Sequence, residues 1–456
     1  MDQFIRKNKE NIFVLFLFFV ISVIVFFPSI LGEPFWDDWI FIFVRQRYQF
    51  NSASPLVFFP GGEYAKAWPI FYSCLWFMVK LFHDKYFLYH LTSIALHALN
   101  SFLFYQLIKK VRLNYSLLLG LLYLVHPAHL YTVSWIIQIK TLLAIFFFLL
   151  CLHLLLWEKV KHHWAKIISA ILFYFMSIFS KATTVGFIIP IFFSYRYFKN
   201  YIAKKTFLTL VIIPIITLAA WATLTTAWNF KINNEIINSS DEKILYESEK
   251  AYLPNPAERV LTATKVFSQY YLFNFLPFDG DQLYQDRVIL RNSSLEFAMI
   301  FSTLFATLFL IRFLYLNHFF LFSTFLFYLA TIVPFCGMIY IPIFDSSNFI
   351  PYWLSIPLLG LIPLLSLIKS KNILIGIILF WSGVTHFQTY NFVHAEKIFI
   401  KSIEKNPDSL SASVALIEHY IFTKKCDKAE ESYQKFIQST NFDLTKIKLK
   451  LKECRR

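Results

Sequence analysis

A chain of 456 residues that is 57% hydrophobic, 20% aromatic and only 16% charged cannot use water as its main solvent. The mean hydropathy of +0.54 excludes an ordinary soluble domain. The net charge of +15 does not point to nucleic acid, because the cations fall in short groups between apolar runs: Arg6, Lys7 and Lys9; Lys109, Lys110 and Arg112; Lys159, Lys161 and Lys166; Arg196, Lys199, Lys204 and Lys205; Lys369 and Lys371. Alternating in this way, they follow the positive-inside pattern of a polytopic membrane protein.

The first apolar run, residues 12–31, is longer than the h-region of a secretory signal and has no small-x-small cleavage site after it. It reads as a retained anchor. With the cationic groups in the cytoplasm, residues 32–86 form one outer loop. Within it Pro69–Phe82 is apolar but short, which predicts an interfacial or re-entrant helix. Residues 86–108 then cross inward, 115–125 outward and 134–157 inward, with the tight turn His126-Pro127-Ala128-His129 outside. Runs at 165–180, 185–197 and 207–228 follow, and a polar stretch at 229–294 forms a second outer loop containing an aromatic segment at 260–278. Four further runs, 295–316, 319–340, 349–368 and 373–389, bring the total to about eleven spans. The expected fold is therefore all-α: a helical membrane bundle over residues 1–391, with interfacial helices in its outer loops and a short helical tail over 392–456.

The tail carries a weak repeat. Ala395-Glu396, Phe399, Ile403 and Asn406-Pro407-Asp408 recur as Ala429-Glu430, Tyr433, Ile437 and Asn441-Phe442-Asp443. The period and the small-then-aromatic spacing fit tetratricopeptide (TPR) helices. Fewer than two repeats are visible, so the tail is expected to lean on the membrane domain or on a protein partner. The five cysteines, Cys74, Cys151, Cys336, Cys426 and Cys454, are scattered and show neither a disulfide framework nor metal-ligand spacing.

The residues richest in chemistry are Glu33-Pro34-Phe35-Trp36-Asp37-Asp38-Trp39, directly after the first span. Adjacent carboxylates between tryptophans at a bilayer interface are costly to desolvate without a cation, a metal or a reacting proton. Solvated loop and functional site both remain open on these residues alone.

The arrangement resembles the GT-C superfamily of membrane glycosyltransferases, in particular the transmembrane-and-TPR O-mannosyltransferases and their bacterial relatives. The resemblance runs in order through Trp36-Asp37-Asp38, Tyr89-His90-Leu91, Leu96-His97-Ala98-Leu99-Asn100, His126-Pro127-Ala128-His129, Val133-Ser134-Trp135-Ile136 and Ser180-Lys181, and ends in the TPR-like tail. Each motif is loose. The chain departs from the family pattern at Ala182 and Tyr131, where relatives carry acidic residues, and at Asp345-Ser346-Ser347-Asn348-Phe349, where they often carry an arginine-aromatic pair.

The resemblance implies an inverting transferase of the bacterial inner membrane, N-terminus cytoplasmic and tail periplasmic. It would move a sugar from a polyprenyl-phosphate donor to a hydroxyl of a protein or glycan acceptor, with no cofactor. Asp37 would be the base, at an ordinary carboxylate pKa of ~3.9, with Asp38 as its support or alternative. Lys140 and Lys181, in or beside apolar spans, are candidates to hold the donor phosphate, with snorkelling to an interface as the plain reading of each. His90, His126 and His129 are substrate-site candidates. No carboxylate stands at ligand spacing among the histidines, so no metal is expected, and hydrogen-bonded structural histidines are the plain reading.

Two other classes fit the outline. A polysaccharide polymerase or ligase also has many spans and a large outer loop, but depends on arginines and histidines in a late loop. A membrane scaffold presenting the tail needs far fewer spans than this chain has.

Overall fold

The computed structural model describes residues 2–156, 163–181, 183–184, 256–278, 293–337 and 349–454, apart from 45–46, 60–61, 65, 67, 406, 408–409 and 441–444. The expected spans at 185–197 and 207–228, and residues 229–255, 279–292 and 338–348 of the loops, lie outside the described residues. Among the described residues all regular structure is helical.

In chain order the helices are α1 (Asp2–Ile30), α2 (Pro69–Phe82), α3 (Tyr86–Lys110), α4 (Ser116–Val125), α5 (Leu130–Ser134), α6 (Ile139–Leu155), α7 (His163–Ser180), α8 (Pro256–Phe273), α9 (Ser294–Asn317), α10 (Phe319–Ile332) and α11 (Lys371–Thr389). Four tail helices follow: α12 (Ala395–Lys405), α13 (Leu410–Phe422), α14 (Cys426–Thr440) and α15 (Thr445–Cys454).

Among the described residues, six helical segments are long and apolar enough to cross a membrane: Lys9–Ile30, Tyr86–Lys110, Ile136–Leu155, Ser294–Asn317, Phe319–Cys336 and Lys371–Phe392. The pair Ser116–Val125 and Pro127–Ser134, bent by 46° at the His126-Pro127 junction, makes up to seven. The chain is an integral membrane protein of the helical type. Trp164–Ser180 is apolar but short. The expected span at 349–368 is not one helix: Pro351, Pro357 and Pro363 divide it into short turns at Pro351–Ser355, Leu358–Leu361 and Ile362–Leu367. Each proline lacks an N–H and clashes with the preceding turn, so apolar length there does not become helix length.

Cross-links fix which helix ends share a side. At one end, Lys109 of α3 pairs with Glu10 of α1 at 2.9 Å, and Gln106 donates to Asn11. At that same end the Tyr115 hydroxyl, ahead of α4, donates to the Lys369 carbonyl ahead of α11. The basic residues Lys9, Lys109, Lys110, Arg112, Lys369 and Lys371 thus collect at one end of the bundle, and Asp37 and Asp38, past the other end of α1, lie at the opposite end. Close approach of α4 to α1 and α3 depends on Gly120, where an added Cβ would stand 2.7 Å from Tyr105 Cβ and 2.9 Å from Phe18.

The buried apolar residues form two clusters. One, containing Phe18, Phe26, Phe104, Leu122, Phe148, Tyr270 and Leu354, fills the bundle. The second joins the loop after α1, α2 and the turn before α6 to the tail, with Phe35, Tyr72, Trp135, Phe392, Phe399, Ala415 and Tyr433 in one core. The tail therefore packs on the loop between α1 and α2. The recurring Ala395 and Ala429 fall on α12 and α14, the first helices of two successive pairs, and both are buried. The cysteine pattern gave no disulfide, yet Cys426 at the start of α14 is bonded to Cys454 at the end of α15, with Cα atoms 5.8 Å apart. Pairing follows from that spatial approach, which sequence spacing does not reveal.

Candidate active site at the acidic end of the bundle

The loop after α1 is tied down by Asp38. That carboxylate is fully buried. Its Oδ2 accepts from the Phe35 N–H at 2.9 Å, three residues back, and its Oδ1 accepts from the Ile137 N–H at 2.8 Å, in the turn that leads into α6. Trp36, between them, is held at φ 32°, a left-handed conformation that costs a bulky residue energy and persists only where the surroundings enforce it. A π-helical turn, Trp39–Phe43, follows. Insertions of this kind recur at functional sites.

With Asp38 committed to the backbone, Asp37 is left facing side chains. It is half-buried, and its partners include Lys140, in the first turn of α6, and Glu418 of α13, which acts on it through charge. Burial raises its pKa to about 7, against the lowering pull of Lys140 and with a smaller upward push from Glu418. The ordinary carboxylate affinity expected from sequence is therefore corrected: desolvation places the proton on Asp37 near neutrality. Burial raises Asp38 further, to about 8, against the backbone donors that favour its ionised form.

The two lysines converge on this end of the bundle. Lys140 Nζ lies 5.0 Å from the Trp68 ring centre and 5.9 Å from that of Phe71. Lys181, just past α7 and buried, lies 5.0 Å from Tyr352 and 5.2 Å from Trp353, and donates to Thr141 Oγ1 at 2.7 Å. Thr141 in turn donates to Gln138. An aromatic wall joins the parts: Trp36 stacks on Trp135, and Trp135 meets Tyr352 edge-on. Aromatic faces compensate an ammonium only partly, so two cations in so apolar a setting favour an anionic ligand.

The three histidine candidates are buried. His126, fully buried, accepts the Ala128 N–H on Nδ1, so its Nε2 carries the proton and donates to the Asn274 carbonyl at 3.2 Å. His129, also fully buried, packs against His97 and Tyr123, each at 4.5 Å between ring centres. His90 is buried beside Gly32. None of these contacts is with Asp37. Among the described residues no three His, Cys, Asp or Glu side chains stand together as metal ligands.

Sequence reasoning identified Asp37, Asp38, Lys140 and Lys181 as separate candidates, and the fold brings them to one place. It missed Trp68, Tyr352 and Trp353 as the rings beneath the lysines, and Glu418 in the tail. The Pro351-Tyr352-Trp353 sequence carried a signal, since a proline-broken aromatic pair inside an apolar run breaks the pattern of a plain span.

The fold and the site define a polytopic helical membrane protein with a carboxylate and two lysines gathered at one end of its bundle. No family model, curated protein or solved structure matches this chain.

Proposed function

We propose that the chain is a membrane glycosyltransferase of the GT-C type, transferring a sugar from a polyprenyl-phosphate donor to an acceptor hydroxyl with inversion. The observation that supports it best is Asp37, half-buried with a pKa near 7, beside Lys140 and within one aromatic-walled site with Lys181.

A sugar on a polyprenyl phosphate already carries a good leaving group, so no carboxylic acid is needed to protonate it, in contrast to the paired carboxylates of glycosidases. One base suffices. Asp37 takes the acceptor hydroxyl proton as the hydroxyl oxygen bonds to the anomeric carbon from the face opposite the phosphate. The anomeric carbon–oxygen bond breaks, and polyprenyl phosphate departs with the bonding pair. A base with a pKa near the working pH is well suited to this step. Lys140 and Lys181 hold the departing phosphate. Asp38 serves as the anchor that fixes the loop, since both its oxygens already accept backbone N–H groups.

By the positive-inside rule the basic end of the bundle is cytoplasmic, and the site and the TPR-like tail face the outside, the periplasm in a bacterial inner membrane. The reading is tested by assaying transfer from a polyprenyl-phosphate sugar in membranes that carry the wild type or Asp37→Asn. Transfer by the wild type and its loss in the variant support it, and equal transfer by both overturns it.

A further inference from the structure

The tail reaches the loop that carries the acidic pair. Glu418 and Phe422 stand one turn apart on α13 and share a face, and Phe422 stacks on Trp39 with ring centres 6.3 Å apart. That face therefore lies against the loop that carries Asp37. The Glu418 side chain is 12% exposed and accepts from Lys450 Nζ of α15 at 2.5 Å. The last residue of α15, Cys454, is bonded to Cys426 of α14, so the helix that presents Lys450 is covalently tied at its far end.

We infer that the tail completes the site: Glu418, held by Lys450 on the face of α13 that packs against Trp39, is a positioning residue for the loop that carries Asp37, and the Cys426–Cys454 bond keeps Lys450 in register. Six titratable groups surround Asp37, of which Lys140 and Glu418 act on it through charge. The six are Asp38 beside it, Tyr72 from α2, Lys140 from α6, Tyr352 from the 351–355 turn, Glu418 from α13 and, next to Lys140, Lys181. Lys140 favours the ionised carboxylate and Glu418 opposes it. A neighbouring anion makes a second ionisation harder, and a cation bound to that anion relieves the effect. The tail thus supplies Glu418, which acts on Asp37 through charge, and Lys450, which pairs with Glu418.

The catalytic use of this coupling rests on the transferase reading, but the coupling itself is measurable without activity. Hydrophobic carbodiimides modify buried carboxyl groups in their protonated form, so the pH midpoint of Asp37 labelling, read by peptide mass spectrometry on the full-length protein in detergent, follows its proton. Glu418→Gln is expected to lower that midpoint and Lys450→Gln to raise it, each by roughly half a unit or more. Glu418→Asp, which keeps the charge, is expected to retain the wild-type midpoint. Reduction of the disulfide is expected to move it in the same direction as Lys450→Gln. A merely structural role would shift the Gln variants in one common direction or leave them unmoved, and either result overturns the inference. If the midpoints move as stated while Asp37→Asn still transfers sugar at the wild-type rate, the coupling stands and the transferase reading falls.

Discussion

The ring of Phe35 lies face to face with that of Phe399, centres 4.9 Å apart and planes within 9°. This contact joins the loop after the first span to the first helix of the tail, and both rings are almost fully buried. Replacing one by alanine opens a cavity in the shared core. Loss of a buried phenylalanine typically costs about 3 to 5 kcal/mol. Phe399→Ala is therefore expected to speed hydrogen exchange throughout α12–α15 while exchange in the bundle interior stays as in the wild type. Wild-type protection of the tail would contradict the docking.

The same contact sets topology. The end of α1 and the end of α11 lie on one side of the bundle, and the Lys109–Glu10 pair and the Tyr115–Lys369 bond lie on the other. Reporter fusions at Leu113 and at Lys446 are expected to report opposite sides of the membrane, the first cytoplasmic. Matching reports from the two would contradict the arrangement.

The two aspartates are expected to differ in kind. Asp38→Ala removes the acceptor of two backbone N–H groups and leaves both buried, at a cost of about 1 to 3 kcal/mol for each. Its melting temperature in detergent is expected to fall well below that of the wild type. Asp37→Asn leaves those bonds intact and is expected to melt at or above the wild-type temperature. The reverse order would show that the roles are exchanged.

The raised pKa of Asp37 fixes the sign of a pH effect. The folded protein holds this proton more tightly than the unfolded chain, so the contribution to stability is complete below the ordinary value of 3.8. It is lost progressively as pH rises to about 7, and is constant above that. The melting temperature of Asp37→Asn relative to wild type is expected to climb between about pH 5 and pH 7 and then level off. A difference that is flat across this range would place the Asp37 pKa outside it.

Lys181 tests the anion site. Charge-assisted hydrogen bonds are worth about 1.5 to 3 kcal/mol, which corresponds to roughly 10- to 100-fold in affinity. Lys181→Gln is expected to raise the KM for a polyprenyl-phosphate sugar by that factor, with a smaller effect on the KM for the acceptor. An unchanged donor KM would assign Lys181 to packing over Tyr352 and Trp353.

Apolar run length made the membrane bundle legible from sequence, and the alternating cations correctly anticipated that Lys9, Lys109 and Lys369 would share one end. Hydropathy counts apolar residues without testing helix continuity. It therefore read 349–368 as a span although three prolines interrupt it. Asp37 and Asp38 were visible because charge next to a span is expensive, and the backbone bonds of Asp38 were not, since one depends on the Ile137 N–H reaching it from the turn before α6. Glu418 was invisible for a related reason. Nothing local distinguishes it from any carboxylate on an amphipathic tail helix until α13 is laid against Trp39.

In the proposed reaction Asp37 accepts the proton of the attacking hydroxyl. Asparagine keeps the shape of the side chain and cannot take that proton. The most direct measurement is the rate of sugar transfer from a polyprenyl-phosphate donor in membranes containing equal amounts of wild type and Asp37→Asn, with donor binding measured alongside. The variant is expected to lose about 10²- to 10⁴-fold in rate with donor binding near wild type. A variant that transfers sugar at the wild-type rate would contradict it.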